Sequence, residues 1–347
     1  MAAAVVLALN SGSSSLKYGL YAVGDGDPER IVDGTIETTD EHAVVFDSIA
    51  AKLREARAPM PTVIGHRIVH GGPYRDGHCL IDDPVMADLE AACAFAPLHG
   101  PAALALIRMA QARYPGVPQV ACFDTVFHAG MPDVARTLPI PLAYRSAGVR
   151  RYGFHGLSCE SILHQLGDGV PDRLVIAHLG NGASITAVRS GRSIDTSMGL
   201  TPSGGVMMAT RTGDIDPGVL LFLLRQKGLS PDMVATLVDH GSGMTGISKL
   251  SGDMRRLRAA ATTNTDADLA IRMFERSVCK GIAAMATVLG GIDMLVLTGG
   301  IGEHDRATAR AIAAGLTWLP ALQTRTMESQ EDEQIARHAA RLGAAMR

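Results

Sequence analysis

The chain has 347 residues, 47% of them hydrophobic and 19% charged, with a net charge of −3. That length supports two domains with separate cores, and the composition is that of an ordinary globular protein. No basic block or Lys/Arg stripe is present and aromatic residues reach only 4%, which argues against nucleic acid and acidic membrane surfaces as partners.

Residues 2–9 are apolar like a signal-peptide core, but no Lys or Arg precedes them and a turn follows at once. In chain order, the hydrophobic pattern predicts strands at 5–9, 16–23 and 31–37, a helix near 46–56 and a strand at 63–69. A helix follows at 101–113, opened by Pro101, whose fixed φ suits the first helical position. A short strand at 120–123 ends at Asp124. A second part begins near Gly148, with a helix at about 158–166, a strand–turn–strand hairpin over 174–188, and helices at 218–225, 231–239 and 266–289. The stretch 281–292 is apolar or small throughout, but Asp293 interrupts it and the run is too short for a bilayer. It reads as a buried helix feeding a buried strand at 294–297. That strand breaks into the turn Thr298-Gly-Gly-Ile-Gly-Glu303, and a last helix runs over 331–341. The five cysteines, at 79, 93, 122, 159 and 279, form no C-x-x-C pair and read as reduced thiols of a cytosolic protein.

The hairpin carries Leu179-Gly-Asn-Gly-Ala-Ser184, and the N-terminus carries a similar unit: a strand, Asn10-Ser-Gly-Ser-Ser-Ser15, then Lys17. Ser15 aligns with Ser184 about half a chain away, which predicts a duplication, two similar lobes and a cleft between them. Such turns offer backbone N–H groups to a polyphosphate. The hydroxyls and the Asn10 oxygen suit a hydrated Mg²⁺, and Lys17 adds a cation. No G-x-x-x-x-G-K-[ST] motif occurs, so this is not a P-loop. Arg67, in Gly65-His-Arg-Ile-Val-His-Gly-Gly72, and Arg211, in Thr210-Arg-Thr-Gly-Asp-Ile-Asp216, sit among apolar and glycine residues. Either alone reads as half of a structural salt bridge; beside a phosphate site the two read as an anion clamp. His99 and His155 adjoin glycine, His178 lies two residues before one, and the three point to a polar cleft. Asp124 follows a buried strand, a position that faces a cleft in α/β folds or caps a helix. His66, His70, His78 and Cys79 form no His-Glu-x-x-His motif, and a strand does not bring positions four apart onto one ion.

These motifs, with Pro97-Leu-His99, Phe123-Asp-Thr125, Gly153-Phe-His-Gly156, Asp195-Thr-Ser-Met-Gly199 and Arg211-x-Gly-Asp-Ile-Asp-Pro217, resemble those of the acetate kinase family, in that family's order. The resemblance implies an α/β fold of two duplicated ribonuclease-H-like domains (the actin, hexokinase and heat-shock ATPase fold) with an active-site cleft between lobes. The first lobe would span 1–147, completed by a C-terminal helix over 328–347. The second, over 148–327, would hold the nucleotide. The activity implied is Mg²⁺-dependent phosphoryl transfer from ATP to acetate, giving acetyl phosphate and ADP, in a cytoplasmic homodimer. By the same resemblance Arg67 and Arg211 hold carboxylate and phosphoryl group, His155 bonds the latter, and Asp124 is the acidic active-site residue. Lys17, His178, Leu179, Gly180, Asn181, Gly182, Asp253, Met254, Arg255, Gly300, Ile301, Gly302, Glu303 and His304 would bind the nucleotide. Val69, Leu98, Phe154 and Pro202 would wall the acyl pocket, and Asn10 and Glu331 would serve the metal.

The chain departs from the family pattern at Gly100, at Ser203-Gly-Gly205 and at His304, where the family has Asn, Leu-Glu-Gly and Asn. It is also short after Glu303, so the strands that normally precede the final helix are expected to be largely missing. Two alternatives remain at this point. One is a kinase preferring propionate or butyrate; the other is a non-catalytic nucleotide-binding relative impaired by its short C-terminus.

Overall fold

Alternation builds the first sheet. In β1 (Ala4–Ser11), Leu7 and Leu9 face one side and Val6 and Ala8 the other, and all four are fully buried, so the sheet is covered on both faces. β2 (Ser15–Val23) and β3 (Glu29–Glu37) continue antiparallel, while β4 (Val63–Ile68) and β6 (Gln119–Phe123) run parallel to β1, with β5 (Cys79–Leu80) at the far edge. The order is β3-β2-β1-β4-β6-β5. The second sheet repeats this plan. β7 (Arg173–Leu179), β8 (Ala183–Arg189) and β9 (Arg192–Thr196) are antiparallel, then β10 (Met294–Thr298) and β11 (Gln323–Thr326) run parallel to β7, in the order β11-β10-β7-β8-β9. Both outer antiparallel pairs carry a register shift, between Leu20 and Tyr21 and between Ala187 and Val188. The duplicated α/β architecture predicted from the two turn motifs is therefore present.

The computed structural model describes residues 3–12, 15–37, 42–96, 99–319 and 322–345. The chain divides into two units: Met1–Ala129 with Gly156–Ser161 and Gln330–Arg347, and Gly130–His155 with Ile162–Ser329. In the first, the helices His42–Glu55 and Gly100–Arg113 cover one sheet face through Phe46, Ile49, Leu106 and Ala110. The C-terminal helix Glu331–Ala344 covers the other through Ile335, Ala336 and Ala339. Close approach requires a glycine in the strand beneath: a Cβ on Gly65 would stand 2.5 Å from Ile335 Cγ2. In the second unit, the helix Thr265–Leu289 lies on β7 and β8. Asn264 caps its start by accepting from the N–H groups of Asp266 and Ala267, and Gly290 ends it in a left-handed conformation.

The short connection after Glu303 keeps one four-residue strand, β11, which extends the second sheet there. Its sequence, Gln-Thr-Arg-Thr, is exposed along its length, and a polar edge strand leaves no apolar alternation to read. The segment 298–303 is a short helix, Gly299–His304, rather than an open turn. The helices Asp83–Ala92, Met254–Ala260 and Arg306–Gly315 also went unanticipated.

The final helix therefore returns to the first unit despite the short connection. Ile335 is its fully buried anchor. Ile335→Ala is expected to destabilise the fold by roughly 2–5 kcal/mol, read as a lowered denaturant midpoint; an unchanged midpoint would mean that the helix does not contribute to this core.

Candidate active site

Three parallel strands bring chemistry to one edge of the first sheet. Asn10 lies near the end of β1, Arg67 near the end of β4, and Asp124 immediately after β6, where C-terminal strand ends form ligand crevices. The register pairs Leu9 with His66 and Arg67 with Cys122, and the Asp124 N–H donates to the Ile68 carbonyl at 2.9 Å. Arg67 donates to Asp124 Oδ2 from Nε (2.9 Å) and from Nη2 (2.7 Å), and to Asn10 Oδ1 from Nη1 (3.0 Å). The first turn of the C-terminal helix closes the group. Asn10 Nδ2 donates to Glu331 Oε2 (3.2 Å) and Asp332 Oδ1 (2.7 Å), and Glu331 lies 3.8 Å from Arg67 Nη1. Asp124 thus pairs with an arginine instead of capping a helix.

Burial works against charge here and the arginine works for it. The Asp124 side chain is 1% exposed, and burial raises its pKa to about 6 although Arg67 pulls it down. Burial also raises Asp332 to about 6, against the hydrogen bond from Asn10. Arg67 is opposed by its own burial, yet Asp124 and Glu331 hold it firmly protonated. Both Arg67 bonds fall on one oxygen, so Asp124 Oδ1 is buried with no hydrogen-bond partner. An orphaned buried acceptor costs about 1–3 kcal/mol and marks a place prepared for something else.

The second unit holds its polar groups around the β7–β8 turn, which closes with the Gly180 N–H donating to the Gly182 carbonyl at 2.9 Å. His155 precedes the helix Gly156–Leu166 at φ +58°, a conformation uncommon outside glycine. Its Nδ1 is 2.9 Å from Ser184 Oγ, and its ring stacks on His178 with centroids 4.1 Å apart. A Cβ on Gly182 would stand 3.2 Å from His155 Nε2 and 3.3 Å from Arg211 Nη1. Imidazole and guanidinium therefore converge above this bare backbone, as an anion cradle requires. Arg211 Nη1 also donates to the Pro202 carbonyl at 3.1 Å. Gly243, at φ +59°, holds this loop in place, since any Cβ there would meet Met208 O at 2.3 Å.

Other residues singled out in the sequence lie around the second sheet. The start of the helix Gly299–His304 packs on the hairpin, with a Cβ on Gly299 only 2.9 Å from Leu179 O. This brings 178–182 and 299–302 together. Glu303 Oε1 accepts from Gly299 N (2.8 Å) and Ser329 N (3.0 Å), so its carboxylate fastens the local backbone, while His304 is exposed. Asp253 caps the helix Met254–Ala260 and pairs with Arg255 at 2.7 Å. Met254 and Leu179 are buried core residues, and Phe154 is 1% exposed. Arg258, on the same helix as Met254, reaches Asp305 at 3.1 Å and joins that helix to the 299–304 segment. In the first unit, Lys17 is exposed and pairs in register with Asn10. Val69 lines a pocket of about 310 Å³, open mouth included, with His70, His99 and Leu104. Leu98, with its neighbour Pro97, and the turn residues Ser13 and Ser14 lie outside the described residues. Asp332 was missed from sequence, because an acid in a first helical turn reads as a partner of the helix dipole.

The chain matches the model of the acetokinase family over residues 39–340. It is 43% identical to an acetate kinase of Deinococcus deserti over 341 residues, covering 88% of this chain and 84% of that one. It is 38% identical to one of Nitrobacter hamburgensis, covering 95% and 89%. Among solved structures it resembles the acetate kinase of Porphyromonas gingivalis (TM-score 0.85, 31% identity, 98% and 99% covered) and a propionate kinase of Francisella tularensis (TM-score 0.88, 31% identity, 98% and 100% covered).

The raised acids give a pH signature. Asp124 and Asp332 hold their protons to about pH 6 in the folded chain, against about 3.9 when unfolded. Between these values the folded chain binds more protons, so their contribution to stability falls as pH rises from about 4 to 6 and is level above. Asp332→Asn, whose amide oxygen still accepts from Asn10, is expected to stabilise the fold by on the order of 1 kcal/mol at pH 7 and negligibly at pH 4. Thermal melts at the two pH values check this; an equal shift at both would refute the assignment.

Proposed function

The chain belongs to the acetokinase family, and we propose that it transfers the γ-phosphoryl group of ATP to acetate, reversibly, giving acetyl phosphate and ADP. The observation that carries this reading is Arg67, fixed by Asp124 and Asn10 at the end of β4, beside an unsatisfied acid oxygen. A short carboxylic acid, with a pKa close to the ~4.3 of Glu, is ionised at neutral pH and attacks without a general base. The barrier is bringing one anion against another, so cations and in-line positioning carry the catalysis. Arg67 binds the acid's carboxylate and Arg211 the migrating phosphoryl group, to which His155 donates a hydrogen bond. Asp124 orients Arg67 and takes no proton from the substrate.

The turn 178–182, the 300–304 segment and the 253–255 helix start receive the nucleotide, and Lys17 supplies a cation for its phosphates. Val69, Leu98, Phe154 and Pro202 bound the acyl group. The hard oxygen donors of Glu331 and Asp332, with the unpartnered Asp124 Oδ1, fit Mg²⁺, which takes few protein ligands and keeps its waters. Asn10, whose amide bonds both helix acids, brackets them for that purpose. Such an ion supplies charge neutralisation to the phosphates when bound. The reading includes a cytoplasmic homodimer; Val219, Leu221 and Phe222 expose an apolar surface on the helix Pro217–Arg225, and no described helix is long and apolar enough to cross a membrane. Propionate is the second reading, favoured by the similarity to a propionate kinase; one methylene changes discrimination by only about 1–3 kcal/mol.

Hydroxylamine trapping tests this directly. With ATP, Mg²⁺ and acetate, acyl hydroxamate should accumulate, and propionate should yield less. ATP binding without hydroxamate from either acid would instead support a non-catalytic relative. Arg67→Ala and Arg211→Ala should each lower kcat by ~10²-fold or more, comparable to loss of an oxyanion donor; a near-wild-type rate in either removes that arginine from the mechanism.

A further inference from the structure

Three residues distant in sequence meet in the first unit, outside the groups described above. His78 lies just before β5, Glu160 on the helix Gly156–Leu166, and His338 on the C-terminal helix. One ligand-capable atom from each lies within 4.8 Å of the others. His338 Nε2 is 2.6 Å from Glu160 Oε2, His78 Nε2 is 3.5 Å from Glu160 Oε1, and the two rings are 4.0 Å apart. The arrangement resembles a two-histidine, one-carboxylate metal site, but the outer ring nitrogens argue otherwise. His78 Nδ1 accepts from the Phe123 N–H at 3.0 Å, and His338 Nδ1 faces the Arg341 guanidinium at 3.2 Å. Each Nδ1 meets a donor, so each neutral ring carries its proton on Nε2, aimed at the same carboxylate. A metal-binding histidine has the reverse pattern, with the far nitrogen donating. Burial alone would raise the Glu160 pKa, yet the short bond from His338 and the nearby His78 imidazole, 3.5 Å away, hold it near 2.

Each imidazole leads to an acid of the first-unit constellation. His78 grips the amide of Phe123, the residue before Asp124. His338 stands seven residues, two helical turns, after Glu331 and so on the same helix face. We propose that Glu160 is a positioning residue for the phosphoryl transfer proposed above: through His78 it sets the β6 end that carries Asp124, and through His338 it sets the helix that carries Glu331 and Asp332. Gln334 joins the hub by donating from Nε2 to Glu160 Oε2 at 3.3 Å; its other approach, 2.9 Å to His338 Nε2, sets donor against donor in this tautomer and adds no bond.

The test uses the full chain. In Glu160→Gln the new amide cannot accept from both imidazoles, so kcat of the folded enzyme should drop ~10-fold or more and the Mg²⁺ concentration for half activity should rise. At saturating Mg²⁺ the KM for nucleotide, most of whose proposed contacts are second-unit residues, should change far less than kcat. His338→Gln, which can still donate to Glu160, should retain most of the activity that His338→Leu loses. On the wild type, ¹⁵N spectra should show both His78 and His338 as Nε2–H tautomers at neutral pH. Loss of thermal stability with unchanged kcat and Mg²⁺ dependence in Glu160→Gln would reduce the cluster to a structural brace and overturn the proposal. One equivalent of Zn²⁺ bound by the wild type and lost in Glu160→Gln would also overturn it, as would Nδ1–H tautomers. If the wild type forms no hydroxamate, the proposed activity fails instead, and the tautomer spectra still judge the cluster.

Discussion

The Arg67–Asp124 pair governs the first unit. A carboxylate that is 1% exposed and an arginine only 15% exposed make a costly pairing to bury, because both ions surrender most of their hydration. An apolar pair of similar volume would serve a fold equally well. What the ion pair achieves is orientation: two N–H bonds to one oxygen and a third to Asn10 hold the guanidinium in a single pose. The remaining Asp124 oxygen is buried and takes no hydrogen bond from the described residues.

The duplicated sheets use one plan for two kinds of chemistry. In the first, Arg67 and Asp124 at the ends of β4 and β6 supply the charges, Asn10 at the end of β1 an amide, and a helix from the far end of the chain closes the set. In the second, the β7–β8 turn presents bare backbone at Gly182, with His155 and Arg211 above it. Side-chain ions suit an ionised acid; backbone N–H groups and a guanidinium suit phosphate oxygens. One strand plan therefore presents two kinds of polar group, with the loops deciding which.

Legibility in the sequence followed the range of the forces involved. The β7–β8 hairpin and the helix Thr265–Leu289 were readable because their signals are local: alternation and turn glycines in the one, a sustained apolar run in the other. Ser15 and Ser184 mark corresponding hairpins in two sheets whose first five strands follow one order. β11 was not readable, since its burial pattern is exposed throughout and its place depends on pairing with β10. Helix Gly299–His304 was hidden by its glycines, which ordinarily weaken a helix and here allow close approach to Leu179.

Taken alone, the sequence determined the duplicated α/β plan, the two arginines and the glycine turns, because periodicity and turn chemistry act between near neighbours. Tertiary structure decided how these groups are held. Only folding places Asn10 against Glu331 and Asp332, Asp124 against Arg67, and Glu160 between two histidines. Those contacts join residues dozens to hundreds of positions apart, and burial, which raises Asp124 and Asp332 to about 6, exists only once the sheet and its covering helices have excluded water.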